Sequence, residues 1–178
     1  MVAENRGSTR KLNRTANILK GDTLKTATDA RSQVRMKDGA LIAISPGTEL
    51  KFEEFAYNGS EDGSERSIIN LIKGGFRTIT GAIGHVNKQN YQVKTSVATI
   101  GIRGTHYGLM LCEGGSCQNN PETGNLSDGL YGGVVDGSIV TDNSTGTSTF
   151  NNDQYFHIET GQTPPVETLG PPDIFNDL

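Results

Sequence analysis

The 178-residue chain contains no tryptophan, only two cysteines, three histidines and three methionines, and aromatic residues make up 6% of it. Each scarcity excludes something. With three histidines, His85, His106 and His157, at no motif spacing to one another, neither a metal centre nor a general-base constellation is legible. The glycine-bearing run Thr-Ile-Gly-Ile-Arg-Gly-Thr (99–105) lacks the Gly-x-x-x-x-Gly-Lys spacing of a phosphate loop. We therefore expect no catalytic residue, no metal site and no bound cofactor. No apolar run approaches the roughly 20 residues of a membrane span. Residues 1–20 hold no apolar leader core, so any export signal is expected upstream of Met1. A net charge of −4 argues against the broad basic face that a nucleic-acid partner requires. The exception is Arg6, Arg10, Lys11, Arg14 and Lys20, read as a solvated strand or tail, with an anion- or membrane-surface arm as the alternative.

Glycine is what the chain has in excess, 23 residues, nearly twice ordinary usage, as a protein of many tight turns requires. Leu, Ile, Val and Phe supply about 22% of the chain, enough for a lean core in one domain. Residues 91–111 are the most informative stretch. Tyr91, Val93 and Val97 place apolar side chains at odd positions. Ala98, Ile100 and Ile102 shift them to even positions, and Tyr107, Leu109 and Leu111 shift them back. Strand side chains alternate strictly, so each change of parity demands a bulge, a corner or a chain break. Gly101 and Gly104 supply backbone freedom near the second change.

The rest of the chain repeats this short-strand pattern. Val34 and Met36 precede an Asp38-Gly39 turn. Ile42, Ile44, Leu50 and Phe52 keep one even face across the Pro46-Gly47 turn. Residues 1–20 read as loosely ordered, with short edge strands at 10–12 and 17–19. Residues 56–67 and 113–129 read as polar loops. In the first, Asn58 to Glu65 carries oxygen ligands without the register of a calcium loop. Strands are expected over 68–72 and 76–83 with Gly74-Gly75 as a break, and 81–90 as a turn or short helical piece. Closing strands are expected at 130–135, 139–141, 148–150 and 155–158. Pro164-Pro165 and Pro171-Pro172 mark an extended tail. The fold class is all-β, an irregular β-sandwich or a short solenoid-like β-roll, organised as 1–19, 20–160 and a Pro-rich tail over 161–178.

Cys112 and Cys117 follow a strand and flank Glu-Gly-Gly-Ser, a sequence that permits a tight reversal. A disulfide is the favoured reading, with two free thiols as the alternative and half a zinc site as a weaker one. A disulfide places the chain in an oxidising compartment. Arg103, a lone charge in an apolar strand, is read as a fork reaching buried carbonyls or a carboxylate across a corner, the alternative being an exposed contact residue. Thr105 is expected to hydrogen-bond backbone there.

Thr-Ser-Val-Ala-Thr-Ile-Gly-Ile-Arg-Gly-Thr (95–105) resembles the signature of the FecR domain, named after a bacterial regulator of ferric-citrate uptake. Further pieces resemble that family in order: Gly21-Asp22-Thr23-Leu24-Lys25-Thr26, the Asp38-Gly39 and Pro46-Gly47-Thr48 turns, Leu71-Ile72-Lys73-Gly74-Gly75-Phe76-Arg77, and Leu130-Tyr131-Gly132-Gly133-Val134-Val135-Asp136-Gly137. The resemblance implies an all-β, noncatalytic sensing or scaffold domain outside the cytosol, periplasmic or extracellular, working by contact with an envelope protein. In the family's namesake, the periplasmic domain receives a receptor's signal and controls a sigma factor. The signature residues would be Gly101, Arg103, Gly104 and Thr105. A carbohydrate or cell-wall binder using Tyr57, Tyr131 and Tyr155 is the competing expectation, weakened by so few aromatic rings.

Overall fold

The computed structural model describes residues 1–60, 62–86, 89–118 and 125–170, with Val86 described by its backbone alone. It opens with a hairpin, β1 (Val2–Asn5) and β2 (Ser8–Lys11), followed by β3 (Thr23–Lys25), β4 (Ser32–Arg35), β5 (Leu41–Ile44) and β6 (Glu49–Ala56). The long β7 (Arg66–Ile79) leads into a single short helix, α1 (Ala82–Val86). Next come β8 (Tyr91–Lys94), β9 (Thr99–Cys112), β10 (Gly129–Asn143), β11 (Gly146–Asn151), β12 (Tyr155–Ile158) and β13 (Val166–Thr168). All these strands belong to one open sheet, mixed because β7 and β8 pair in parallel. The all-β expectation is met, and the sandwich arises by folding one sheet over itself.

Three strands do the folding, and each changes partners half-way. Residues 66–73 of β7 pair with β6, while 74–79 pair with β9. The start of β9 pairs with β8, and 106–111 pair with β7. Residues 130–133 of β10 pair with β12, whereas 138–143 pair with β11. One layer is thus β2-β1-β3-β6, the first halves of β7 and β9 with β8, the last part of β10, and β11. The other is β4-β5, the second halves of β7 and β9, the first part of β10, β12 and β13.

Each crossing strand bends at a glycine of positive φ: Gly74 (+75°), Gly104 (+55°) and Gly137 (+86°). Here the parity of the buried face reverses, because an extra residue in one strand turns the next side chain over. Along β9 the buried set passes from Ile100 and Ile102 to Thr105, Tyr107, Leu109 and Leu111. The earlier reversal, before Ala98, is a turn: Thr95 Oγ1 accepts the N–H groups of Val97 (3.2 Å) and Ala98 (3.0 Å) between β8 and β9.

Both layers turn their apolar faces to one core. Leu24, Leu50, Ile69, Leu71, Val93 and Ile100 come from the first layer, and Ile44, Phe76, Leu109, Leu130 and Phe156 from the second. The layers meet directly where Phe150 of β11 stacks on Phe156 of β12, with ring centroids 4.4 Å apart. Burying these side chains, at about 25 cal/mol per Å² of apolar surface, is what closes the sheet. The even positions Val34, Ile42, Ile44, Leu50 and Phe52 lie inward as their alternation requires.

Two tyrosines, Tyr91 of β8 and Tyr107 of β9, are also wholly inside. Burial pushes the Tyr91 phenol up to about 12, partly offset by the nearby Tyr107 hydroxyl. Burial, with Tyr91 beside it, also holds Tyr107 well above the ordinary phenol range. Between pH about 10 and about 12 the unfolded chain gives up phenolic protons that the folded chain retains, so stability must fall as pH rises through that window. In an alkaline titration, absorbance at 295 nm is expected to develop in two stages. The second stage should coincide with loss of the sheet circular-dichroism signal. Five tyrosines ionising in one step around pH 10 with the sheet intact would contradict this burial.

Several expectations are corrected. Gly74-Gly75 does not break the strand; β7 runs through it. The reason is Thr48, whose hydroxyl donates to Gly75 O (2.9 Å) and accepts from Gly75 N–H (3.0 Å), replacing the ladder bonds lost at the bulge. Ile83 is helical, not strand, and α1 plugs it into the core with no exposure. Residues 1–20 are ordered by a hairpin with Ala3 buried, and 17–19 form no strand. Residues 166–168 add an edge strand to β12, whereas Pro171-Pro172 lie outside the described residues. No helix among the described residues is long and apolar enough to cross a membrane.

Candidate interaction surface

The signature run sits at the middle corner. Ile100 and Ile102 are fully inside, and Gly101 holds its place opposite Val140 of β10. The chain then bulges at Gly104, opposite two register shifts in β10 between Val134 and Ser138. A Cβ at Gly104 would lie 2.6 Å from His85 Nδ1 of α1, so helix and corner are packed against each other. Thr105 is 3% exposed and fastens β9 to β10 and to Thr80, the residue that follows β7. Its N–H donates to Thr80 Oγ1 (2.8 Å), its carbonyl accepts Thr80 N–H (3.0 Å), and its hydroxyl donates to Ser138 O (3.3 Å). Arg103, by contrast, is exposed; the fork expected to reach buried carbonyls lies on the surface. Parity explains why: residue 103 falls between two inward positions, just before the bulge that reverses the strand.

The second feature is a flap on the outer face of the other layer. Cys112 and Cys117 are joined by a disulfide. With Met110 and Tyr131 they form a small apolar cluster separate from the main core, against which Leu126 packs. Asp128 accepts the N–H groups of Gly114 (2.9 Å) and Gly115 (3.0 Å), tying the flap's two ends together. The flap explains the unbroken burial of β9 from Tyr107 to Cys112. Leu109 and Leu111 face the core, while Met110 and Cys112 face the flap.

Replacing both cysteines by serine removes a short crosslink, whose chain-entropy contribution is about 2 kcal/mol. We expect the double variant to unfold at lower denaturant with an unchanged slope. Amide exchange should accelerate over 113–118 while β7 stays protected. A midpoint equal to that of the native protein would show the flap held by its hydrogen bonds alone.

Tyr131 lies under the flap at 7% exposure, stacked on His157 (centroids 4.2 Å apart), with its hydroxyl 2.8 Å from Ser127 Oγ. Tyr57 packs against the main core at the end of β6, and Tyr155 is half-buried on β12. These three rings do not make a free aromatic platform. In the loop 58–65, Glu61 lies outside the described residues. Asn58 Oδ1 and Asp62 Oδ1 there accept the N–H groups of Ser60 (2.7 Å) and Ser64 (3.0 Å), and these bonds from Ser64 lower the Asp62 pKa. Among the described residues no three His, Cys, Asp or Glu side chains gather as metal ligands would.

The outer face of the first layer carries charges of both signs. Lys25 sits 2.8 Å from Glu4 and 3.4 Å from Glu49, and Lys94 lies 2.9 Å from Glu53, whose pKa it lowers. Such a surface steers no single-sign polymer. What remains available is backbone. The sheet and its branches end at β2, β4, β11 and β13, strands paired on one side only among the described residues.

A family model described as FecR protein matches residues 22–124, which is 103 of the 178 residues. The chain belongs to the FecR family. No curated protein matches it. Two crystal structures of a candidate anti-sigma factor from Parabacteroides distasonis ATCC 8503 are similar to this FecR chain in fold. The 2.50 Å structure gives a TM-score of 0.60 at 11% identity, and the 1.65 Å structure 0.59 at 12%. Each comparison covers 83% of this chain and 59% of the other, so the FecR chain spans about three-fifths of that protein's length. The matched region contains two of the three corners, at Gly74 and Gly104, whereas Gly137 lies beyond it.

The threonine fastenings at Thr48 and Thr80 escaped the sequence reading. A buried threonine looks like any strand residue until its partner across the corner is known.

Proposed function

We propose that this chain is a noncatalytic binding and sensing module of a bacterial cell envelope, acting through protein–protein contact in FecR-type signalling. One observation carries the reading. Gly104 and Thr105 of the run 99–105 are spent on building a corner, while the surface offers open strand edges to which an extended segment of a partner can add. Location in the periplasm or beyond is supported by the Cys112–Cys117 disulfide, which persists in oxidising compartments. A regulatory role is supported by family membership and by the likeness in fold to a candidate anti-sigma factor. The carbohydrate reading loses ground because Tyr131 is covered and Tyr57 is committed to the core.

The test places a photo-crosslinking amino acid at exposed positions on the four edges, Ser8, Gln33, Thr147 and Val166, in chain expressed in an envelope. Purified chain is screened in parallel on a glycan array. Discrete protein adducts from edge positions, absent from a probe at Arg103, are expected. Specific glycan binding with no protein adduct from any edge would overturn the proposal.

A further inference from the structure

We propose that β11 is the edge through which two copies of this chain pair, antiparallel, about a two-fold axis at Ser148. The inference rests on the strand-edge reading above and assigns it one edge and one occupant. Natural sheet edges are guarded by charge, proline or shortness. β2 ends in the exposed Lys11, and β4 ends in Arg35 with Lys37 close behind. β13 is three residues long, includes Glu167 and follows Pro164-Pro165. Only β11, Gly-Thr-Ser-Thr-Phe-Asn over six residues, lacks all three guards, and its threonines favour extended backbone.

The backbone bonding of this edge fixes the register. Asn143 and Gly146 flank a two-residue turn, so Gly146, Ser148 and Phe150 direct their N–H and C=O groups toward β10. Ser148 O indeed accepts the Thr141 hydroxyl of β10 (3.4 Å). Thr147, Thr149 and Asn151 therefore direct theirs outward. At Asn151 both groups are already used by Gln154, whose side chain accepts the N–H (2.7 Å) and whose own N–H reaches the carbonyl (3.1 Å). Four outward groups remain, on Thr147 and Thr149, and both residues are exposed.

A second copy satisfies all four. With the axis at Ser148, Thr147 of each copy faces Thr149 of the other, a hydrogen-bonded pair that exchanges both bonds. Charge is compatible as well. The chain carries −4 overall, yet β11 itself carries none. The acid paired across from β11, Asp142 of β10 opposite Thr147, would stand about 14 Å from its mate, three strand spacings away, beyond the screening length of about 8 Å. A charged partner strand would find no complement here, whereas the same uncharged strand meets its own pattern.

Sedimentation velocity over a concentration series is the test. Native chain is expected to move from 19.0 kDa toward twice that mass. Thr149→Pro removes one outward donor without touching the β10 ladder, and should stay monomeric with native circular dichroism. Thr149→Lys, which restores a charge guard, serves if the proline variant misfolds. Amides of Thr147 and Thr149 should become protected from exchange as concentration rises. A constant 19.0 kDa mass, or dimers that persist in both variants, overturns the inference. The wider reading falls separately, only if the β2, β4 and β13 probes also fail to capture protein.

Discussion

Replacing Gly137 by alanine is expected to lower stability by about 3 kcal/mol, a shift of roughly 6–12 °C in Tm for a chain of this size. The residue sits at φ +86°, where an L side chain costs about 1–2 kcal/mol. Its missing Cβ would fall 2.4 Å from the carbonyl oxygen of Gly104, 3.0 Å from Thr105 Cγ2 and 3.2 Å from the carbonyl oxygen of Arg103. Two of these are backbone atoms of the facing corner and cannot turn aside, so overpacking adds about 1–3 kcal/mol. Gly39 separates the two contributions. Its φ is +91°, but nothing lies within 4 Å of a Cβ there, so Gly39→Ala should cost only the conformational part, about 1–2 kcal/mol. Thermal melts of the two variants check this. Equal losses would mean that the corners of β9 and β10 are not in close contact.

That contrast shows what the corner between β9 and β10 does. Gly104 and Gly137 press against each other, and Thr105 crosses from Thr80 to Ser138 around them. The motif is a hinge pin for a folded sheet. Its residues were legible because a change of side-chain parity is a local property, written in the alternation of Val93, Ile100, Ile102, Tyr107 and Leu109. The Cys112–Cys117 pair was legible for the same reason, two thiols flanking a flexible reversal. The bend in β7 was visible at Gly74-Gly75, but its continuity was not, since that depends on Thr48, which lies 27 residues from Gly75. Arg103 misled because a charge in an apolar run suggests burial; only the register of the bulge reveals that it faces water. The edge at 10–12 was legible and is β2, but the edges at β4, β11 and β13 were not, for a further reason. Which strands end a sheet is decided by the partner each one lacks, and strand alternation carries no information about partners.

The N-terminal basic run illustrates the same limit, and Asp22→Asn tests it. Asp22 has no exposure, and its Oδ2 accepts the backbone N–H of Leu19 (2.7 Å) and an ion-paired bond from Arg10 of β2. Its Oδ1 accepts Asn5 Nδ2 of β1 (2.9 Å). One carboxylate therefore fastens the β1–β2 hairpin to the body, and Arg10 is a structural partner rather than a solvated cation. An amide in this position keeps the volume but surrenders the charge and one acceptor, leaving Arg10 beside an uncompensated site. Breaking a buried pair from one side typically costs 3–5 kcal/mol. Arg10 is about a third exposed, so the lower end, about 3 kcal/mol, is expected here. Arg10→Met in the Asp22→Asn background should then cost little further, and a double-mutant cycle should report coupling of about 1–3 kcal/mol. Hydrogen exchange locates the damage, because β1 and β2 amides should lose protection before those of β6 and β7. Additive losses from the two single variants, with the hairpin still protected, would mean that the first strands dock through Ala3 and the ladder to β3 alone.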